Sequence, residues 1–236
     1  FEKWKYVELI KPLYRSLIIR AADFLMEYRH LETGLPKTSY DLWEERRGVL
    51  AFTVAAVWAG LTAASRFAKA FGEADVSERY RTAADQMKAG VEKVLYRPEL
   101  NRFVRMANQK PDKTWTFDQT LDASLYGLWY FGMFPADDLR VVATMIAIKD
   151  RLWVKTSVGG VARYENDYYH QQSQDIANVP GNPWFICTLW LAHWIIATAK
   201  TREVLRGAVP HLEWCAQHGL PSGVLAEQVH PYTHAP

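Results

Sequence analysis

The alternation of apolar and polar positions along the chain predicts a series of helices with little strand. Residues 4–29 place apolar side chains at helical spacing, and residues 48–71 and 182–200 are apolar on most faces. The same reasoning predicts the other helices, at residues 75–96, 121–131, 137–151 and 202–218. Because helices that are apolar all round alternate with amphipathic ones, we expect an inner and an outer layer. No linker divides the chain, so we assign residues 1–236 to a single α-helical domain.

Local signals predict where some helices begin. Pro12 indicates either a kink in the first helix or its true start, because proline lacks the amide hydrogen that a helix interior needs. Asp75, with Glu78 three residues later, is typical of an N-cap. Asn182 followed by Pro183 predicts a cap and a first helical residue.

Two stretches between the helices are not helical in pattern. Residues 101–106 and 113–117 are expected to pair as a small hairpin across a polar turn. Residues 154–181 show no regular period, and irregular stretches of this length inside a domain are often functional.

Charge and composition argue against several classes of protein. The formal net charge is +2, and the longest basic cluster, Arg46-Arg47, follows two acids, so no nucleic-acid partner is expected. No apolar stretch has the length of a membrane span without polar interruption, the nearest being residues 183–199, so no membrane partner is expected. Cys187 and Cys215 lie outside metal-type pairs and are expected to be reduced. We expect no metal and no cofactor.

Aromatic residues make up 14% of the chain, enough to fill a large core or to line a groove for sugars or bases. Against that background, Trp43-Glu44-Glu45 precedes the helix predicted at residues 48–71. These acids could simply stabilise the positive end of the helix dipole. Alternatively, an acid buried beside an indole keeps its proton at neutral pH, as a general acid requires.

A second acid, Glu227, lies in a loop near the end of the chain. Alone it is typical of a surface residue. Glycoside cleavage needs two carboxyl groups, one to protonate the leaving oxygen and one on the other side of the sugar. Glu44 and Glu227 could form that pair, although their spacing in sequence leaves open whether they meet.

Two further residues have both a structural and a binding interpretation. Trp184, in the first turn predicted after Asn182, either packs in the core or stacks on a sugar ring. Arg163, in the irregular stretch, either forms a salt bridge or offers its five donors to sugar hydroxyls.

Together these segments resemble glycoside hydrolase family 15, which contains glucoamylases, glucodextranases and trehalases. YDLWEERRG is similar to the segment that carries the general acid of the family. RYENDYY and the following GNPWFICTLWLA are similar to its substrate-binding loop and the next helix. LAEQVHPYT is similar to the segment that carries the general base. The order and rough spacing match across most of the chain.

The resemblance implies the chemistry of the site. Glu44 would be the general acid and Glu227 the general base of an inverting, exo-acting hydrolase that releases β-glucose from maltooligosaccharides or starch. The substrate-binding residues implied are Leu42 and Trp43 through their backbone at the first sugar subsite, Glu45, and Arg163 and Trp184 on the leaving side.

The resemblance also implies the fold, an all-α (α/α)6 double barrel or toroid with six inner and six outer helices. The barrel of the family is longer than this chain, so we expect residues 1–236 to be an incomplete portion of a catalytic domain. The expected partners are the missing N-terminal and C-terminal parts of that barrel and an oligosaccharide or disaccharide substrate. The chain starts at Phe1, so the compartment is left open, with the cytoplasm as the default expectation.

Other functions remain open at this point. Trehalase or glucodextranase activity would use the same two carboxyl groups on another α-glucoside. A non-catalytic carbohydrate-binding module would keep the groove without turnover, and a helical scaffold is a weaker possibility because no repeat is visible.

Overall fold

Helices joined by short antiparallel strands make up the fold, and the computed structural model describes residues 7–233 and 235. The helices are α1 (Val7–Leu13), α2 (Ile19–Glu27), α3 (Ala51–Ala70), α4 (Ala74–Val94), α5 (Gly127–Tyr130), α6 (Leu139–Leu152), α7 (Phe185–Thr198), α8 (Arg202–Arg206) and α9 (Val209–His218). The strands are β1 (Ser39–Tyr40), β2 (Arg47–Leu50), β3 (Tyr96–Arg97), β4 (Arg102–Phe103), β5 (Met106–Gln109), β6 (Trp115–Asp118), β7 (Val161–Ala162) and β8 (Pro183–Trp184).

The first predicted helix is interrupted. α1 contains Pro12, and a π-helical turn (Tyr14–Ile18) separates it from α2. Proline removes a hydrogen bond from a helix interior, and a π-turn is one way in which a helix absorbs such a defect. The structure therefore agrees with the predicted break near Pro12, and the helical segment ends at Glu27. Residues 4–6 of the prediction lie outside the described residues.

The pairing of α3 with α4 forms a large part of the core. Val54 and Leu61 from α3 and Met87 and Val91 from α4 are buried in one cluster. Each side chain of this size contributes about 1.5–3 kcal/mol when it is fully buried. Between the pair, the Ser65 hydroxyl donates to the carbonyl of Ser77 at 2.8 Å in a hydrogen bond that satisfies a polar group inside the packed interface.

The start of α4 differs from the sequence prediction. The sequence predicts Asp75 as the N-cap, but α4 begins at Ala74 and Asp75 lies in its first turn. The amide of Glu73 donates to the carbonyl of Ala68 at 2.8 Å, which fixes the turn between the two helices ahead of Asp75. Asp75 therefore acts on the helix dipole and does not cap the helix.

The sequence predicted that no apolar stretch is long enough to span a membrane, and helix α3 departs from that prediction. Among the described residues it is long and apolar enough to cross a bilayer by length and composition, whereas α7, at residues 185–198, is shorter. A core helix has the same composition, and α3 packs against α4 in the core cluster.

The four-stranded sheet β1–β2–β5–β6 explains why the second long helix starts late. The sequence predicts helix from residue 48, but Val49 pairs with Ala107 across β2 and β5, so α3 begins only at Ala51. The predicted hairpin forms, but its first strand is β5, at residues 106–109, and not residues 101–106. Strand β4, inside the predicted range, pairs with β3 instead.

The start of α7 is likewise later than predicted. Pro183 and Trp184 form strand β8 against β7, with Val161 opposite Trp184, and the helix begins at Phe185. Asn182 is therefore not an N-cap, because its extended position places it ahead of a strand.

The C-terminal helical segment is divided. Residues 202–218 form α8 and α9 instead of one helix, with Pro210 in the first turn of α9. Cys187 in α7 and Cys215 in α9 are both free and buried.

Candidate active site

The structure brings all of the sequence-predicted site residues to one open cleft of about 1440 Å³. These residues, which come from four separate segments of the chain, are Leu42, Trp43, Glu44, Glu45, Arg163, Trp184 and Glu227. Ligand clefts of roughly 300–1,000 Å³ accommodate drug-sized molecules, so this cleft is large enough for more than one sugar ring. The loop 41–46, the irregular stretch after β7, strand β8 and the segment around residue 227 therefore converge, which the sequence alone left open.

The loop that carries Glu44 and Glu45 is the turn of a β-hairpin. Strands β1 and β2 pair Tyr40 with Arg47 at its base. Within the loop, the Asp41 carboxylate accepts from the amides of Glu45 at 2.7 Å and of Arg46 at 3.1 Å. The sequence therefore closes this loop with an acid two residues before the tryptophan, which turns the loop back on itself.

Glu44 lies at the exposed tip of this loop. Its backbone has a φ of 59°, in the left-handed region that residues other than glycine rarely adopt. Such conformations cost about 1–3 kcal/mol and persist only where the surroundings impose them. Its side chain is exposed to the cleft and is not enclosed by the indole as the sequence analysis envisaged, so burial of this carboxyl would have to come from a bound ligand.

Glu45 lines the same cleft and is surrounded by donors. Its two oxygens accept from Arg163 at 3.0 Å, Arg46 at 2.6 Å and the Tyr164 hydroxyl at 2.6 Å. Burial acts to raise the pKa of Glu45, but the Tyr164 hydrogen bond and the two arginine charges outweigh it, so the pKa lies below its ordinary value. Glu45 is thus held in the ionised, hydrogen-bond-accepting form.

Arg163 is 4% exposed and is fixed by a second acid. Its Nε and Nη2 donate to the two oxygens of Asp167, both at 2.7 Å, in a bidentate pair. Burial acts to lower the pKa of Arg163, but the charge and hydrogen bonds of Asp167 raise it above its ordinary value. Among the described residues, Nη1 has no hydrogen-bond partner, so it remains able to donate to a ligand.

The glycine at position 181 lets this ion pair form. A Cβ on Gly181 would lie 2.6 Å from the Cβ of Asp167, closer than real Cβ contacts come. Aromatic rings enclose the opposite side of the guanidinium, whose central carbon lies 5.2 Å from Trp43, 4.9 Å from Tyr169 and 4.7 Å from Trp184.

Trp43 is oriented by a buried acid that the sequence analysis did not identify. Its Nε1 lies 3.2 Å from both oxygens of Asp122, which is fully buried and also accepts from Arg105 at 3.3 Å. Complete burial raises the pKa of Asp122, against the opposing effects of Arg105 and its hydrogen bonds. The available signal was an acid within the apolar stretch 121–131, where a charge needs partners.

The segment with Glu227 is held beside β8 by its backbone. Gln228 forms a bridge with Trp184, the Phe185 amide donates to the Glu227 carbonyl at 3.3 Å, and the Val229 amide donates to the Pro183 carbonyl at 2.9 Å. This short ladder leaves the Glu227 side chain exposed at the cleft.

Side chains near this ladder reinforce it. The Asn182 amide donates to Gln228 Oε1 at 3.0 Å and to the carbonyl of His170 at 2.9 Å. Trp184 is 7% exposed, and its Nε1 has no partner among the described residues. A buried donor without a partner at the wall of a cleft is suited to a ligand oxygen.

The remaining wall of the cleft is aromatic and was also missed in the sequence analysis. Trp190 on α7 stacks on Tyr126 at 5.1 Å, and the Tyr126 hydroxyl lies 2.6 Å from Nδ1 of His193. Phe52 and Tyr130 line the same side. Helical spacing alone could not separate these rings from core residues.

A comparison with known families identifies the chain. The model of glycosyl hydrolases family 15 matches residues 24–236. The chain belongs to glycosyl hydrolases family 15. The resemblance drawn from the sequence motifs is therefore confirmed.

Curated relatives of this family 15 chain are much longer proteins. An uncharacterised glycosyl hydrolase of Methanocaldococcus jannaschii is 36% identical over 154 residues, 65% of this chain and 22% of that protein. A trehalase of Mycolicibacterium smegmatis is 29% identical over 196 residues, 81% of this chain and 26% of that protein. The chain thus spans between 22% and 26% of the length of these two relatives.

Solved structures establish the fold. A bacterial glucoamylase complexed with acarbose superposes with a TM-score of 0.76 at 23% identity, over 95% of this family 15 chain and 35% of the glucoamylase. The family 15 glucoamylases have the (α/α)6 barrel fold, so the predicted all-α double barrel is confirmed as the fold class.

Proposed function

We propose that this family 15 chain carries the two catalytic carboxyl groups of an inverting, exo-acting hydrolase of α-glucosidic bonds. The observation that supports it most is the presence of Glu44 and Glu227, remote in sequence, on the wall of the same cleft. Glycoside hydrolysis needs two carboxyl groups that flank one sugar linkage. A cleft without catalysis would need neither.

In this proposal the two acids act on opposite faces of the sugar. Glu44 gives its proton to the glycosidic oxygen, and the bond from that oxygen to the anomeric carbon breaks. Glu227 takes a proton from a water molecule, whose oxygen bonds to the anomeric carbon from the opposite face. The product is β-glucose, and the carboxyl groups must lie roughly 6.5–9.5 Å apart to admit the water.

The surrounding residues would hold the sugars. Ionised Glu45 would accept hydrogen bonds from sugar hydroxyls, and Nη1 of Arg163 would donate to a sugar oxygen on the leaving side. Trp184 would offer its unpartnered indole N–H and its ring face. The backbone around Leu42 and Trp43 would border the first sugar subsite.

Replacement of the two acids tests the proposal in the full-length protein. Glu44→Gln and Glu227→Gln should each lower kcat on the best α-glucoside by at least about 10²–10⁴-fold, the usual contribution of a general acid or base. Glu203→Gln, at an exposed position on α8, serves as the control and should keep full activity. Proton NMR of the first product should show the β-anomer. A Glu44→Gln enzyme with most of its activity, or an α-anomeric product, would overturn the assignment.

The preferred substrate is a separate question. We propose maltooligosaccharides first, in keeping with the superposition on a glucoamylase, and trehalase activity second, in keeping with the mycobacterial relative. Glucodextranase activity is the third choice. Initial rates of the full-length protein on maltose, trehalose and isomaltose rank these directly. Binding of all three sugars without any glucose release would instead favour a carbohydrate-binding module.

A further inference from the structure

The Asp122 carboxyl group accepts hydrogen bonds from three different residues. Its Oδ1 accepts from the amide of Ser124 at 2.8 Å, and its Oδ2 accepts from Nη1 of Arg105 at 3.3 Å. The indole N–H of Trp43 points between the two oxygens, at 3.2 Å from each. The residue is 1% exposed, so water does not compete for these bonds.

Only a carboxylate satisfies this arrangement. An asparagine of the same shape would turn its NH2 group toward either Arg105 or Ser124, and two donors would then face each other. The charge of Asp122 is balanced by Arg105, which also pairs with Asp118 at 2.7 Å. Arg105 therefore keeps one acid partner if Asp122 is neutralised.

The indole that Asp122 binds lies directly before the proposed general acid. The ends of the loop 41–46 are tied by strand pairing, but its tip reaches the interior through the side chain of Trp43. The ring of Trp43 lies 5.9 Å from Trp184 and 6.0 Å from Trp190, so packing limits its position while the hydrogen bond to Asp122 sets its rotation. Glu44 follows Trp43 directly in the chain, and with its left-handed backbone (φ of 59°) it lines the same cleft.

We infer that Asp122 is a positioning residue, which fixes the Trp43 indole and thereby aims the Glu44 carboxyl at the leaving oxygen. The inference rests on the proposed function, because it assumes that Glu44 is the general acid. A small misalignment of a reacting group costs about 10²-fold in rate. The competing interpretation is that Asp122 only caps the short helical turn Ala123–Tyr126 through Ser124.

The choice of leaving group separates these interpretations. Maltose needs a proton on its leaving oxygen, whereas α-glucosyl fluoride releases fluoride, a weak base that leaves without strong acid assistance. In the full-length protein, Asp122→Asn should lower kcat on maltose by about 10²-fold with little change in KM, and change kcat on α-glucosyl fluoride far less. A purely structural defect would lower both rates alike.

Asp118→Asn is the matched control. Asp118 pairs with the same arginine, whereas the Trp43 indole donates to Asp122, so loss of Asp118 should leave the ratio of the two rates unchanged. Trp43→Phe provides a second test, because it removes the N–H donor while Asp122 keeps Arg105. It should reproduce the selective loss on maltose even if Asp122→Asn does not fold.

Each outcome decides one proposal. Equal losses on both substrates for Asp122→Asn and Trp43→Phe, or the same selective loss in Asp118→Asn, would overturn the positioning role while leaving the proposed function intact. A wild-type protein that hydrolyses neither substrate would overturn the proposed function, and the positioning role with it. A selective loss confined to the first two variants supports both.

Discussion

The two segments that carry the proposed catalytic acids reach the same cleft with different support. The hairpin loop with Glu44 is fixed mainly by side chains, through Asp41, Glu45 and the indole of Trp43. The segment with Glu227 is fixed mainly by backbone hydrogen bonds to β8 and its neighbour in α7. Both acids are exposed at the cleft, so the two segments differ in the interactions that hold them and not in the exposure of their acids.

This difference predicts how strongly substitutions should affect the stability of the Glu44 loop and of the Glu227 segment. The position of the Glu44 loop depends on buried charged side chains, and removal of one partner of such a pair leaves the other charge uncompensated. The position of the Glu227 segment depends on backbone N–H and C=O groups. Substitutions leave these groups in place, except that proline removes the N–H. The most costly side-chain changes should therefore lie among the buried charges around Glu44.

The largest effect on stability should come from Arg163→Ala. This change leaves Asp167, which has no exposed surface, without its bidentate partner, and should lower the free energy of unfolding by about 3–5 kcal/mol. Arg46→Ala is the control, because Arg46 also binds Glu45 but is partly exposed, and should cost about 1 kcal/mol or less. Urea unfolding of both variants measures the difference. Equal losses would show that the burial of the Arg163–Asp167 pair does not set its contribution to stability.

A smaller effect is expected on the base side. Asn182→Ala and Gln228→Ala should each lower the free energy of unfolding by about 0.5–1.5 kcal/mol, because the backbone ladder stays in place. In a double-mutant cycle the two changes should couple by about 1 kcal/mol, since they share one hydrogen bond. A loss for either variant as large as that of Arg163→Ala would show that the base segment also depends on its side chains.

An effect that depends on pH should come from Glu45→Gln, and it should stay below that of Arg163→Ala because Arg163 keeps Asp167 as its partner. The folded-state pKa of Glu45 lies below its ordinary value of 4.5, so its ionised form adds stability that is fully present above pH 4.5. That contribution is lost as the pH falls through the folded-state pKa. The wild type should therefore exceed Glu45→Gln in stability near neutral pH, and the gap should narrow in acid. Unfolding curves over a pH series would show it, and a gap that widens in acid would contradict the assigned direction.

Local patterns in the sequence were sufficient to predict the long helices, and together with the family resemblance they predicted part of the cleft. Apolar residues at helical spacing predicted α3, α4, α6 and α7, because the buried face of a helix repeats along the sequence with the period of the helix. The motif around Glu44 and the one around Glu227 predicted residues that the fold does bring to one cleft.

Distant pairing accounts for what the sequence could not predict. Residues 48–50 precede the helix without a polar break, and their pairing with β1 and β5 makes them a strand. Pro183 and Trp184 likewise became a strand because of β7, and not a helix start. Asp122 was hidden for the same reason, since Trp43 and Arg105 reach it from other segments.

The left-handed backbone at Glu44 has a consequence for what kind of residue the position favours. Glycine or asparagine would adopt that conformation more easily than glutamate. At position 44, folding stability therefore favours one side chain and the proposed catalysis needs another. A search for heat-resistant variants would tend to select against the very carboxyl group on which turnover is proposed to depend.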